Sequence, residues 1–189
     1  MNPNYREKLK EITTFIFDFD GVLSDGKIYV LSDGEQIRST NVKDGYAMQY
    51  ALKKGFRIAI ISGGVSETIR LRYQRFAEMD IYIRVANKVP VFQEFIKKYN
   101  LKESEVLYMG DDLPDYKLMK LVGLSCCPAD ACEEIKQIAE TVKYKIAIWF
   151  WCGSIINKTA SRQASTAPVS EQTTRVLWFD FAITFALSV

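Results

Sequence analysis

Four short apolar runs order this chain, and each is followed closely by a polar side chain able to do chemistry. Residues 12–17 lead into Asp18, 58–61 into Ser62 and 106–109 into Gly110 and Asp111, while 81–85 come shortly before Lys88. Runs this short and this rich in β-branched residues predict strands buried on both faces, because a strand with one wet face would alternate with polar residues. Helical spacing and punctuation fill the intervals. Residues 45–54 end before Gly55, Ser66 can cap a helix running to about Ala77, and Pro90 suits the first turn of a helix ending near Asn100. Pro114 opens another that ends before Gly123, and 129–139 is a further candidate. Such alternation predicts an α/β fold, a Rossmann-like parallel sheet with helices on both faces. Ligands of such sheets bind at the carboxyl ends of the strands, so Asp18, Ser62, Lys88 and Asp111 are expected to converge there.

One segment breaks the alternation. After Gly26 the chain reads KIYVLSDGEQIRS, two extended pieces around Asp33 and Gly34, a hairpin signal that predicts a β-hairpin flap over about residues 26–39. Neither the interval from Asp18 to Ser62 nor that from Ser62 to Lys88 has room for a cap domain.

Composition narrows the chemistry. With no histidine among 189 residues, Ser-His-Asp triads, phosphohistidine intermediates and His-ligated zinc are excluded. A net charge of +2 from interspersed charges gives no reason to expect nucleic acid or an anionic membrane as partner. Cys126, Cys127, Cys132 and Cys152 form no C-x-x-C pair, and are expected to be reduced, mostly buried residues. The polar N-terminus carries no signal-peptide or membrane-span pattern, so a cytoplasmic location is expected. The length suits one domain. We expect its core in residues 1–140 and an atypical tail in 141–189, where all three tryptophans lie, acidic residues dwindle to Glu171 and Asp180, and 158–172 are linker-like. The apolar runs of the tail are too short or interrupted to read as membrane spans.

In DFDGVLSDG, Asp18 and Asp20 stand two residues apart at a strand end, where alternation sends both to one side. Paired carboxylates can divide into nucleophile and general acid-base. GDDLPD adds Asp111, Asp112 and Asp115 behind another strand. Like charges so gathered repel by roughly 4 kcal/mol per pair at about 4 Å and an effective dielectric near 20. A hard cation relieves this, and oxygen ligands without His or thiolate favour Mg2+. Ser62 in ISGG offers a hydroxyl and nearby backbone N–H groups at a helix entrance, suited to an anion, and Lys88 adds a positive charge. Together these are the equipment of phosphoryl transfer, where positioning and charge neutralisation supply most of the catalysis.

At these residues the chain resembles the haloacid dehalogenase superfamily of phosphohydrolases. Asp18, Asp20, Ser62, Lys88 and Asp111 match its four motifs in order, and the likeness covers about residues 10–140. The strings DGVLSDG, VKDGYAM, GDDLPD and GLSCCPADA, with the hairpin, are similar to its small capless branch, which acts on sugar-acid phosphates. The resemblance implies that Asp18 attacks phosphorus, Asp20 protonates the leaving alkoxide and then activates water, and Ser62 and Lys88 hold the phosphoryl oxygens, with Gly63 beside them. It implies Mg2+ on Asp18, the backbone carbonyl of Asp20 and Asp111, with Asp112 nearby and Asp115 orienting Lys88. Arg72 matches an arginine used on the sugar-acid carboxylate, a role suited to a guanidinium fork. The branch closes its open site as a homotetramer built around the hairpin. The substrate implied first is 3-deoxy-D-manno-octulosonate 8-phosphate, and second a nine-carbon keto-deoxy sugar acid 9-phosphate.

The chain departs from this branch in two places. Gly64 stands where the branch carries a substrate-selecting Arg or Glu, and residues 141–189 lack its Gly-Gly-x-Gly ending followed by Arg, as a shifted reading frame or foreign sequence would produce. Other readings remain open at this point. A phosphomutase lacks a second sugar-binding domain here, and a phospho-receiver domain would carry its acidic pair before the phosphoacceptor strand. A non-catalytic Mg2+-binding assembly module would keep the fold and use the flap and tail for contacts.

Overall fold

The structure is a computed structural model and describes residues 5–76 and 78–143. After a short helix, α1 (Tyr5–Lys8), come β1 (Thr14–Phe17), the hairpin strands β2 (Tyr29–Val30) and β3 (Gln36–Ile37), and α2 (Val42–Lys53). The chain continues through β4 (Arg57–Ile61), α3 (Glu67–Tyr73), β5 (Met79–Tyr82), α4 (Lys88–Tyr99), β6 (Val106–Met109), α5 (Tyr116–Met119), β7 (Leu124–Pro128), α6 (Glu133–Ile138) and β8 (Thr141–Lys143). Six strands form one sheet in the order β5-β4-β1-β6-β7-β8, all neighbours parallel, with β1 near the middle. The expected α/β architecture is the observed one.

Alternation along the strands supplies two cores. Phe15, Phe17, Ile58, Ile60, Leu107 and Met109 face one side, where Ala47, Met48 and Ala51 of α2 and Ile69 and Tyr73 of α3 cover them. Ile16, Ala59, Ile61, Val106 and Tyr108 face the other, under Phe92 and Phe95 of α4, Leu118 of α5 and Ile135 of α6. Each such fully buried large apolar side chain contributes about 1.5–3 kcal/mol of transfer free energy, so both faces hold the sheet rigid. Because both faces are covered, the three central strands run apolar from Phe15, Ile58 and Val106 to their ends.

Several boundaries differ from expectation. α2 begins at Val42, earlier than residue 45, because Asn41 caps it by accepting from the Lys43 N–H at 2.9 Å. β5 lies two residues before the expected 81–85: the chain leaves the sheet at Arg84, with φ 61°, and the Val85 N–H turns back to the Ser62 carbonyl at 3.0 Å. α3 starts behind Ser66 as expected but ends at Tyr73, where turns close through the Phe76 and Met79 N–H groups. Pro114 opens a 3-10 turn, Leu113–Asp115, before α5. β7 was not expected, since Ser, two Cys and Pro make a weak strand pattern, nor was β8, which carries the sheet past residue 140. The hairpin turns at Asp33 and Gly34 as expected, with Gly34 at φ 86°. Cys126, Cys127 and Cys132 are free, the first two buried. Cys152, the tryptophans and the tail readings lie outside the described residues.

The entry to β7 depends on a backbone crossing. The Gly123 N–H donates to the Glu103 carbonyl at 2.7 Å, and a Cβ at Gly123 would lie 2.2 Å from the Ser104 carbonyl oxygen. Only main chain can yield there. Gly123→Ala is therefore expected to lower stability by about 1–3 kcal/mol, the usual range for overpacking, read from chemical denaturation midpoints.

Candidate active site

Register brings the site together. Phe17 pairs with Ile60 on one side and Met109 on the other, so β1, β4 and β6 finish level and Asp18, Ser62 and the Gly110–Asp111 corner leave at one edge. The Asp18 N–H still donates to the Met109 carbonyl and the Ser62 N–H to the Tyr82 carbonyl, each at 2.9 Å. Lys88 opens α4, behind Asn87, whose side chain accepts from the Val89 N–H at 3.3 Å.

Lys88 is the hub. Its side chain is 4% exposed, and Nζ lies 2.8 Å from Asp18 Oδ1, 2.6 Å from Asp115 Oδ1 and 3.3 Å from the Tyr108 hydroxyl. Burial alone would lower the Lys88 pKa, but Asp18 and Asp115 outweigh it and raise it, so the ammonium is kept. Asp115 is saturated with donors: Lys88 and the Tyr108 hydroxyl (2.5 Å) on Oδ1, the Asp111 and Asp112 N–H groups (3.0 and 3.3 Å) on Oδ2.

Asp18, Asp111 and Asp115 offer oxygens that all lie within 4.8 Å of one another. Because Asp115 has no lone pair to spare, Asp18 and Asp111 are the carboxylates free to hold a cation. Asp111 Oδ1 is buried and has no hydrogen-bond partner among the described residues. Its Oδ2 lies against the turn after Asp20, so close that a Cβ at Gly21 (φ 83°) would fall 1.8 Å from it. Burial, opposed by Lys88 and assisted by Asp115, pushes Asp18 up to about 6; burial and the charges of Asp18, Asp115 and Asp112 push Asp111 up to about 7. Two buried oxygen donors that resist ionising side by side fit a hard divalent cation such as Mg2+.

Asp20 faces the flap. Arg38, just past β3, donates from Nε to Asp20 Oδ1 at 2.5 Å and from Nη2 to Oδ2 at 3.1 Å, and the Ser24 hydroxyl lies 3.4 Å from Oδ1. Ser62 is buried, and its Oγ accepts from the Gly64 N–H at 3.0 Å. A methyl group added at Gly64 would touch both Ser62 Oγ, at 3.1 Å, and Asp20 Oδ2, at 3.4 Å, so these two polar groups flank one small space. The expected helix entrance is not at Ser62: α3 starts only behind Ser66, and Gly63 is an exposed loop residue.

Asp112 is exposed, and its Oδ1 accepts from the Leu113 N–H at 2.8 Å as the cap of the 3-10 turn. Among the described residues, no hydrogen bond or ion pair joins Arg72 to Asp18, Asp20 or Asp111. Its Nε donates to Thr40 Oγ1 at 3.2 Å and its guanidinium lies beside Gly45 of α2. Thr40 also lines a cavity of about 280 Å³ that is walled in part by Ser24, Asp25, Ser39, Asn41 and Asp44. Two residues went unforeseen. Tyr108 had a signal, since a tyrosine inside a buried strand needs a partner for its hydroxyl. Arg38 had none, being one arginine in a hairpin.

Comparison with known proteins gives the family of the chain. A family model described as a haloacid dehalogenase-like hydrolase matches residues 65–145. The 3-deoxy-D-manno-octulosonate 8-phosphate phosphatase of Salmonella typhimurium is 37% identical over 131 residues, which are 69% of this chain and 70% of that protein. The chain belongs to this family of haloacid dehalogenase-like hydrolases. Two solved phosphatases superpose on it. The octulosonate 8-phosphate phosphatase of Yersinia pestis does so with TM-score 0.80 and 28% identity, covering 85% of this chain and 89% of that one. The enzyme from Moraxella catarrhalis, solved with magnesium, phosphate and the sugar acid, gives 0.78 and 27%, covering 88% and 100%.

The raised carboxylates set a stability signature. A folded-state pKa above the ordinary 3.8 contributes stability that is full below about pH 4 and lost as pH rises through 6 to 7, because ionisation is penalised in the fold. In chelator, the melting temperature should therefore fall between pH 5 and pH 8. Mg2+ should raise it more at pH 8 than at pH 5, since protons compete for the same oxygens. An Mg2+ shift that is independent of pH would contradict the assignment.

Proposed function

We propose that this chain is a Mg2+-dependent phosphomonoester hydrolase that acts through an aspartyl-phosphate on the phosphate of a sugar acid, 3-deoxy-D-manno-octulosonate 8-phosphate. The observation that carries the reading is the buried Lys88 bridging Asp18 and Asp115 beside Asp111, whose Oδ1 lacks a partner among the described residues. The names of the relatives and the magnesium, phosphate and sugar acid of the Moraxella catarrhalis complex support it. A nine-carbon sugar acid 9-phosphate is the second reading, kept because Gly64 leaves no side chain to choose between the two.

In this reading Asp18 forms the new O–P bond as the ester P–O bond breaks, and Asp20 gives its proton to the departing alkoxide. Asp20 then takes a proton from water, whose oxygen bonds to phosphorus as the Asp18–phosphorus bond breaks, releasing inorganic phosphate. Lys88 fixes the Asp18 carboxylate through Oδ1 and, with Ser62 and the Gly63 backbone, neutralises phosphoryl oxygens. Asp18, the Asp20 carbonyl and Asp111 are the residues that would hold Mg2+, with Asp112 nearby. Mg2+ supplies positive charge that offsets the repulsion between carboxylate and phosphate. Asp115 orients Lys88. Arg72 and the adjoining cavity would receive the sugar-acid end.

We also infer a homotetramer assembled on the flap, a phosphatase core in residues 1–140, which β8 extends by three residues, with an atypical tail making up the rest of 141–189, and a cytoplasmic location in keeping with the free cysteines among the described residues. No helix among the described residues is long and apolar enough to cross a membrane. The flap bares Ile28, Tyr29, Val30, Leu31 and Ile37, which are 38–68% exposed, an apolar patch suited to burial between copies. Light scattering should give a particle of four 21.7 kDa chains, and Tyr29→Ser with Val30→Ser should dissociate it.

The function is tested by phosphate release from octulosonate 8-phosphate with and without Mg2+. Release should require the metal, and Asp18→Asn should lower it on the order of 10³-fold or more, as loss of a nucleophile does. Release unchanged by Asp18→Asn would refute the mechanism, and preference for the nine-carbon phosphate would move the substrate to the second reading.

A further inference from the structure

The Arg38 side chain is 3% exposed, although it comes from a hairpin whose apolar residues lie open to solvent. It is the flap's charged contact with the catalytic edge, and it is bidentate: Nε on Asp20 Oδ1 at 2.5 Å, Nη2 on Oδ2 at 3.1 Å. A two-armed fork fixes the plane of a carboxylate as well as its place, which a single ammonium contact does not. The two arms are unequal. Oδ1 takes the short arm and has the Ser24 hydroxyl 3.4 Å away, while Oδ2 takes the longer arm and lies toward Gly64 and the Ser62 hydroxyl. One oxygen is thus anchored and the other is turned to the side where phosphate would sit.

The flap end that carries Arg38 is itself tied down. The Ser66 hydroxyl, which caps α3, donates to the Gln36 carbonyl at 2.9 Å, and the Gln36 side chain accepts from Arg38 Nη2 at 3.3 Å. Two-residue strands pair too weakly to hold a hairpin in place alone, so these contacts set where the flap lies. Arg38 Nη1 is buried with no hydrogen-bond partner among the described residues. A stranded buried donor of this kind is destabilising, which argues against a guanidinium retained for packing alone.

We propose that Arg38 is a positioning residue, through which the flap holds the Asp20 carboxylate with Oδ1 anchored and Oδ2 aimed at the reacting phosphoryl group. The inference rests on the phosphatase reading above. Without the fork, Asp20 swings among rotamers and both its proton transfers slow, whereas substrate binding, which depends on Ser62, Lys88 and the cation, is unchanged.

The test compares Arg38→Met and Arg38→Lys with wild type in Mg2+, on octulosonate 8-phosphate and on 4-nitrophenyl phosphate. Because positioned acid-base groups supply about 10²- to 10⁴-fold, Arg38→Met should lower kcat on the sugar phosphate roughly 10- to 100-fold with KM within about threefold. The nitrophenolate leaving group needs no proton, so the Met variant should give a full initial burst of nitrophenolate followed by slow turnover. Arg38→Lys keeps the charge and loses the fork, and should fall between Met and wild type; it also serves if the Met variant does not fold. Equal loss of burst and turnover, Met and Lys variants of equal activity, or a Met variant as active as wild type would each overturn the proposal. If wild type itself releases no phosphate from either ester, the phosphatase reading falls and takes this inference with it.

Discussion

The site depends on one buried ammonium among carboxylates. Lys88 meets Asp18 and Asp115 where little of any of the three side chains is exposed, and removing one partner of such a contact costs about 3–5 kcal/mol because the other charge is left buried alone. The consequence spreads through Asp115, whose second oxygen gathers the Asp111 and Asp112 N–H groups and so shapes the loop behind β6. Gly110 fits because a Cβ there would lie 2.4 Å from the Asp115 carboxyl carbon. The start of α4, the end of β1 and the loop after β6 are therefore locked by one charge, and the position of Asp111 follows from that lock.

What Lys88 leaves unneutralised defines the chemistry. It offsets one negative charge, yet Asp18, Asp111 and Asp115 lie within 4.8 Å of each other. Asp115 is satisfied by four donors, which confines the excess to Asp18 and Asp111: burial, opposed by Lys88 and assisted by the charge of Asp115, pushes Asp18 up to about 6, and burial with the charges of Asp18, Asp115 and Asp112 pushes Asp111 up to about 7. A site of this kind takes up protons at low pH or a divalent cation at neutral pH, and the cation alone leaves the carboxylates ionised. The two apolar cores make this sustainable. Strands buried on both faces cannot relax outward to relieve the repulsion, so the strain stays at the one edge where a ligand can remove it.

Much of this was legible in the sequence, for a physical reason. A strand covered on both faces is written as a short apolar run, and the residue after it stands at the carboxyl edge, so 58–61 and 106–109 located Ser62 and Asp111 directly. The hairpin was legible because Asp33 and Gly34 carry their turn locally. Legibility failed where partners are distant. The apolar pattern puts β5 too late because its end is fixed by the Ser62–Val85 and Gly64–Arg84 backbone bonds, and it does not reveal β7 because the cysteines gain strand character only from burial beside β6. Arg38 was invisible for the same reason: its partner is eighteen residues away, and no spacing rule links an arginine in a hairpin to a strand-terminal aspartate.

That blind spot coincides with the most weakly held element of the fold. The sheet and its helices are secured by apolar area, whereas the flap pairs two residues with two and leaves its apolar side chains open. Its placement over the edge comes instead from polar contacts at its end, the Arg38 fork on Asp20 and the Ser66 hydroxyl on the Gln36 carbonyl. Polar contacts of this number contribute roughly 1 kcal/mol each, or about 1.5–3 where charged, enough to bias a small hairpin and too little to make it rigid. An apolar surface on such an element is stabilised further when another copy covers it, which would press the Arg38 end onto Asp20. Assembly and acid-base geometry would then be two readings of one hairpin position, linked through contacts that lie within a single chain.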